Sequence, residues 1–262
     1  MSSWLFPPQT REVQLDEKWD FVGKKQARCD PGDPADARRG DCWDHVALDT
    51  ESRLVLAVVA GKRTEENTRA LVEQMKRRTG GKPPRLIMSD EYRPYRTALL
   101  EAYGREVTPP RTGKRGRPRS AYKVAPRGLR YAVVHKTRKK GRVVKIEERV
   151  IFGSQASVEK ALKQSKASRK INTAFVERHN GTDRHRCSRK ARRSYRFSKD
   201  WEIHEAATCF SMYSYNFCWP VRTLRRKVGR AWRRRTPAMA AELTDHVWTL
   251  CEWLSYPAVQ RE

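Results

Sequence analysis

Between residues 11 and 104 the spacing of apolar residues switches between a period of two and a period of 3.6, in an order that few folds can accept. Residues 11–23 (REVQLDEKWDFVG) alternate, with Val13 and Leu15 pointing one way and Gln14 and Asp16 the other. A polar loop follows over 24–41. Residues 42–50 and 53–60 then read as two strands around an Asp-Thr-Glu-Ser turn, and the second, RLVLAVVA, is continuous enough to be buried on both faces. Next comes a helix whose ends are both marked. Thr64 is placed to cap it, Glu65 and Glu66 fill the first turn, Lys76, Arg77 and Arg78 fill the last, and Gly80 lies just beyond. The strand PRLIMSD leads into a further helix from Arg93 to Tyr103, with Pro94 in its first turn and Gly104 as its stop. Three strands on short turns form an antiparallel meander, and the helix after them permits a crossover to a parallel fourth strand. This order predicts an α/β chain of the ribonuclease-H-like type, a mixed five-stranded sheet flanked by helices.

The remainder divides less sharply. Residues 1–10 are a leader and 11–104 the first part of the core. Residues 105–152 form a basic insertion: an aperiodic loop to 128, then a β-hairpin over 129–152, one strand of which is the expected fifth core strand. Residues 153–220 carry core helices. The helical pattern over 158–190 is patchy and weakened by Gly181, whereas that from Ser198 to Trp219 is strong. Ser198 is the expected cap, and Ile203, Ala206, Ala207, Phe210, Tyr213, Ser214 and Phe217 mark the expected inner face. Residues 221–262 form a C-terminal extension, basic and then amphipathic.

Lys plus Arg outnumber Asp plus Glu by 57 to 30, a formal net charge of +27. Repulsion on this scale disfavours the folded chain unless a polyanion offsets it, and nucleic acid does so by phosphate neutralisation and counterion release. No run approaches the roughly 18 apolar residues of a membrane helix, and the first ten residues lack a secretory pattern. The six cysteines include no C-x-x-C pair. Cys209 and Cys218 fall in a helical run and read as core thiols, which suits a reducing cytoplasm. His179, His185 and Cys187 match no common structural zinc spacing.

In so basic a chain, three carboxylates require a reason. Asp16 sits mid-strand, where Asp is disfavoured; Asp20 is the alternative. Asp90 closes a strand before a helix, where α/β folds place ligands. Glu177 sits in NTAFVERHNGT, and on a helix Thr173, Asn180, Gly181 and Arg184 share its side. Two Asp and one Glu in this order suit a pair of divalent ions that hold the attacking and leaving oxygens of a phosphoryl transfer in line. Candidate DNA contacts are Asn180, Arg184, Arg189, Arg192 and Arg193 after Glu177, Lys139 and Lys140 at the hairpin tip, and Arg115 and Arg117 in KRGRPR. That last segment has the Arg-Gly-Arg-Pro core of a minor-groove hook; an ordinary flexible basic loop is the equal alternative. Trp219 and Trp232 lie near basic runs but are expected to pack in the core.

The segments LDEKWDFVGKK, HVALDTESRLVLAVVAGKRTEENT, LIMSDEYRPY and NTAFVERHNGTDRHRCSRKARRSYRFSKDWEIHEA resemble the transposases of the insertion sequence 1 family over about residues 10–220. The resemblance implies an Asp-Asp-Glu core that uses Mg2+ or Mn2+, two ions per site, with Asp16, Asp90 and Glu177 as the matching acids. It also implies double-stranded DNA partners (terminal inverted repeats and target DNA), a homo-oligomer and a nucleoid location in the cytoplasm. Family members commonly carry a zinc-binding and helix-turn-helix region ahead of the core. Its expected source here is an upstream reading frame, unless the chain is a truncated or domesticated copy. A non-catalytic DNA-binding protein and a structure-specific nuclease are the rival readings.

Overall fold

The computed structural model describes residues 10–110 and 119–256. Arg115 and Arg117, with the rest of the Arg-Gly-Arg-Pro core, lie outside the described residues.

The strands β1 (Glu12–Val22), β2 (Gly40–Asp49) and β3 (Val55–Gly61) form the expected meander, followed by α1 (Glu65–Arg78), β4 (Leu86–Asp90) and α2 (Pro94–Tyr103). Two short strands, β5 (Arg105–Val107) and β6 (Tyr122–Val124), pair with each other and flank the insertion. After them come β7 (Tyr131–Lys139), β8 (Arg142–Phe152), α3 (Gln155–Gln164), α4 (Ala174–Arg186) and α5 (Trp201–Cys218). The C-terminal part is a small hairpin, β9 (Arg226–Val228) with β10 (Ala231–Arg233), and two short helices, α6 (Pro237–Ala240) and α7 (Leu250–Ser255).

The main sheet has the order β3-β2-β1-β4-β7-β8. The meander is antiparallel, β4 runs parallel to β1 and β7, and β8 returns antiparallel to β7. It is therefore a six-stranded mixed sheet, not the five-stranded one expected. β7 is the anticipated fifth strand, and β8 adds a sixth because a two-residue turn closes the hairpin. Lys140 and Gly141 both take positive φ (47° and 78°), the twist that keeps tightly joined strands in register. The order is compatible with a ribonuclease-H-like fold.

One face of the sheet packs Val13, Leu15, Ile87 and Val133 against Leu71, Val72 and Met75 of α1 and Leu99 of α2. Thr64 caps α1, its side chain accepting from the Asn67 amide at 3.3 Å. The other face divides in two. Val46, Leu48, Val55 and Val58 meet Val176 of α4 and Met212 and Tyr215 of α5, while Met88, Ala132 and Val134 meet Val158 and Leu162 of α3.

Several expectations fail on α5 and beyond. Asp200, not Ser198, caps α5 by accepting from the Ile203 amide at 2.8 Å; Ser198 is buried and bonds His204. Ile203 and Phe210 of the expected inner stripe are exposed (51% and 43%), and the inner face is instead His204, Thr208, Ser211, Met212 and Tyr215. That face is polar because it closes over charged side chains of the sheet, described below. Cys209, expected in the core, faces outward on the same helix. Trp219 and Trp232 are also exposed, at 46% and 55%, each with an Arg guanidinium over its ring (Arg186 at 4.9 Å, Arg225 at 4.3 Å). Among the described residues no helix is long and apolar enough to cross a membrane.

Candidate active site

Parallel pairing of β1 with β4 ends at Leu15↔Ser89. The next residues, Asp16 and Asp90, stand side by side where the two strands part. β4 stops there, while β1 continues to Val22. On the far side of β4, Asp90 pairs with Val134, and Lys136 follows two residues along β7, on the same face of the pleat.

α4 lies along β1 and is held by every second residue of the strand. Gln14 accepts from the Phe175 and Val176 amides at 2.9 and 3.1 Å and donates to the Asn172 carbonyl at 2.8 Å. Asp16 accepts from Asn180 Nδ2 at 2.7 Å. Lys18 donates to Asp183. The polar face Gln14-Asp16-Lys18 of a central strand thus matches residues 176, 180 and 183 of the helix. This grip carries Glu177 over the strand ends.

Asp90 and Glu177 meet there. Lys136 Nζ donates to Asp90 Oδ2 at 3.0 Å and to Glu177 Oε1 at 2.9 Å. Thr173 Oγ1, at the start of α4, reaches the same two carboxylates at 3.2 and 2.9 Å. The pair faces solvent, with side-chain exposures of 41% for Asp90 and 49% for Glu177. Asp16 is half-buried behind them. Burial, then the charges of Glu17, Asp90 and Glu177, push its carboxyl up to about 7. Burial alone would lower the Lys136 ammonium, but Glu177 and Asp90 hold it above its ordinary value. Asp20, the alternative ligand, is turned away: its Oδ1 accepts from the Phe21 amide, and its electrostatic neighbours are His204, Asp44 and Lys190.

Among the described residues, no three His, Cys, Asp or Glu side chains stand close enough to hold a metal ion as they are. Asp90 and Glu177 are bridged by an ammonium, and Asp16 adjoins them through its field and through Asn180. The chemistry of the set nonetheless suits a divalent ion. All three donors are hard carboxylate oxygens, as Mg2+ and Mn2+ prefer, and Lys136 is the stand-in cation between two of them.

Sequence reasoning named Thr173 on the side of Glu177, but it missed Lys136 as the cation between Asp90 and Glu177 and Gln14 as an anchor of α4. The alternating polar residues of β1 were the available signal, since a polar face on a central strand needs buried partners. Lys136 fell within a basic run that reads as a phosphate contact. Asn180, also assigned to DNA, is buried and gives its amide to Asp16. Arg184 and Arg189 are half-buried, and Arg192, Arg193, Lys139 and Lys140 are exposed.

Behind the acids, Lys18 and Lys190 face Asp44 and Asp183 in a buried quartet. Lys18 lies 3.0 Å from Asp44, and Lys190 lies 2.6 Å from Asp44 and 3.4 Å from Asp183, with every side chain at most 1% exposed. Ser211 and Thr208 of α5 donate to Asp183 at 2.6 Å and to Asp44 at 3.4 Å. Burial would raise both carboxyls, but Lys190 and Lys18 hold Asp183 down to about 2 and Asp44 well below its usual range.

The raised Asp16 carboxyl gives a pH prediction. The native chain keeps this proton up to about pH 7, while the unfolded chain releases it in the ordinary carboxylate range, about pH 4. The group's contribution to stability is therefore fully present below about pH 4 and is lost as pH rises through 7. In metal-free buffer, Asp16→Asn is expected to be more stable than wild type by about 1–3 kcal/mol at pH 8 and nearly equal to it at pH 4. Urea midpoints at the two pH values check this; a difference independent of pH contradicts it.

No protein-family model matches the chain, and no curated protein matches it in sequence. Among solved structures it is similar to a chain of the Mos1 transposase paired-end complex with left transposon end. The identity is 21% over 34% of this chain and 32% of that one, with a TM-score of 0.22. This chain thus spans about a third of that protein's length, and at that score the likeness carries no argument.

Proposed function

We propose that the chain is a DNA transposase of the Asp-Asp-Glu type on a ribonuclease-H-like fold, akin to the insertion sequence 1 family. In this reading it cuts and joins DNA strands at the ends of a mobile element, works as a homo-oligomer, and resides on DNA in the cytoplasm. The observation that supports it best is the sharing of one cation by Asp90 and Glu177, with Asp16 beside them where two parallel strands part, in a chain of net charge +27.

Asp16, Asp90 and Glu177 would hold two Mg2+ or Mn2+ ions. When bound, the ions supply an activated oxygen nucleophile and Lewis-acid stabilisation of the leaving 3′ oxygen. The chain's own residues prepare that site. Asn180 fixes the Asp16 carboxylate, and Thr173 orients Glu177 and Asp90 together. Gln14 and Lys18 keep α4 in register with β1. Half-buried Arg189 and exposed Arg192, Arg193, Lys139 and Lys140 supply phosphate contacts, as Arg115 and Arg117 do in the same proposal.

Lys136 neutralises Asp90 and Glu177 until a divalent ion takes its place. Lys136→Met is therefore expected to bind Mn2+ about tenfold more tightly than wild type, because the ion no longer competes with a tethered ammonium. Titration calorimetry without DNA reads this directly; unchanged or weaker affinity would remove Lys136 from the site. The function itself is tested by incubating the protein with DNA carrying the element's ends in Mg2+ or Mn2+ and following cleavage and strand transfer. Tight binding without chemistry in wild type would favour the alternative reading, a DNA-binding protein on a decayed core, in which Lys136 is the permanent counter-ion.

A further inference from the structure

A concavity lies further along β1 and α4 from the acids. Its volume is about 630 Å³, within the range of small-ligand sites. It begins three residues past Asp16, along the edge of β1 that β4 leaves open, and Arg184 of α4 spans it to the Trp19 carbonyl at 3.4 Å. Its floor is a row of rings: Trp19 to Phe21 at 5.9 Å between centroids, and Phe21 to Phe197 at 4.8 Å. Tyr195, 97% exposed, is also part of the lining. Arg184, Arg192 and Arg193 also line it, with Asp20 beside them; among the described residues none of the three arginines forms a salt bridge, although the charges of Asp20, Asp44 and Asp16 act on Arg184. Arg193 takes a φ of +54°, a backbone conformation that disfavours a residue with a side chain and that tends to persist where function requires it.

The geometry points to a pocket for one unpaired nucleotide further along β1 from the acidic site, its base stacked between Tyr195 and the Trp19–Phe21–Phe197 row and its phosphates on Arg184, Arg192 and Arg193. This rests on the nucleic-acid reading above and deepens it. Ring faces can stack only on a base whose own face is free, which paired and stacked bases in a duplex do not offer. Guanidiniums beside aromatic rings suit a phosphate backbone and a base together. An acidic or purely apolar ligand would use only half of the lining.

The test is fluorescence anisotropy in EDTA, so that no strand is cut. Three probes share one sequence: a blunt duplex, the duplex with a three-nucleotide single-stranded extension, and the same extension built from abasic units. Wild type is expected to bind the normal extension about tenfold more tightly than the blunt or abasic probe. Tyr195→Ala, at a fully exposed position, is expected to abolish that preference and leave blunt-duplex affinity intact, and Tyr195→Phe to retain it. Equal affinity for normal and abasic extensions, or a preference that survives Tyr195→Ala, overturns the pocket while leaving DNA binding in place. Failure to bind any of the three probes would overturn the nucleic-acid reading and the pocket with it.

Discussion

Asp44→Ala is expected to destabilise the protein by about 3–5 kcal/mol, the range for removing one partner of a buried ion pair. Asp44 is fully buried and receives both Lys18 and Lys190. Without it, two buried ammoniums share one carboxylate and Thr208 loses an acceptor. Urea unfolding followed by circular dichroism should show a lower midpoint at unchanged slope. A cost under about 1 kcal/mol would mean that the quartet relaxes into solvent. The acid limb has a defined sign as well. Both carboxyls are depressed in the native chain, so their contribution is present above the unfolded value near pH 4 and is lost as pH falls toward about 2. The quartet also bears on function, because Asp183 and Lys18 anchor the same helix that carries Glu177.

Asp16→Ala, Asp90→Ala and Glu177→Ala are each expected to reduce DNA cleavage on the order of 10³-fold or more, with duplex affinity within a few-fold of wild type. In the proposed function the three serve one site, so the double variant Asp90→Ala/Glu177→Ala should lose little beyond either single one; such non-additivity is the signature of groups that act as a unit. Asp20→Asn, outside the cluster, is expected to cleave within a few-fold of wild type. If it alone lost activity, Asp20 would replace Asp16 as the first ligand.

Local patterns gave the first half of the fold because its elements obey local rules. The alternation in β1, the charge order and Thr64 cap of α1, and the Pro94 start of α2 each fix their own element whatever lies opposite. The errors begin where the partner decides. Along α5 the apolar residues Ile203 and Phe210 suggest the inner face, yet that face is set by Asp44 and Asp183, which attract Thr208 and Ser211. Trp219 and Trp232 have the bulk of core residues, but each stays exposed with an arginine guanidinium over its ring. β8 joins the sheet through a two-residue turn whose strand register only the folded hairpin reveals. At the site, the order Asp, Asp, Glu was legible along the chain. The role of Lys136 was not, since it depends on β7 lying beside β4 in one particular register.

The central proposal is that Asp16, Asp90 and Glu177 together form a single site for a pair of divalent ions. Loading the protein with Fe2+ in place of Mg2+, adding ascorbate and peroxide, and mapping where the backbone breaks tests this without any DNA substrate. The account predicts breaks clustered near residues 16, 90 and 177 together, suppressed by excess Mg2+ and lost in Glu177→Ala. Breaks confined to one of the three segments, or placed elsewhere and indifferent to Mg2+, would contradict it.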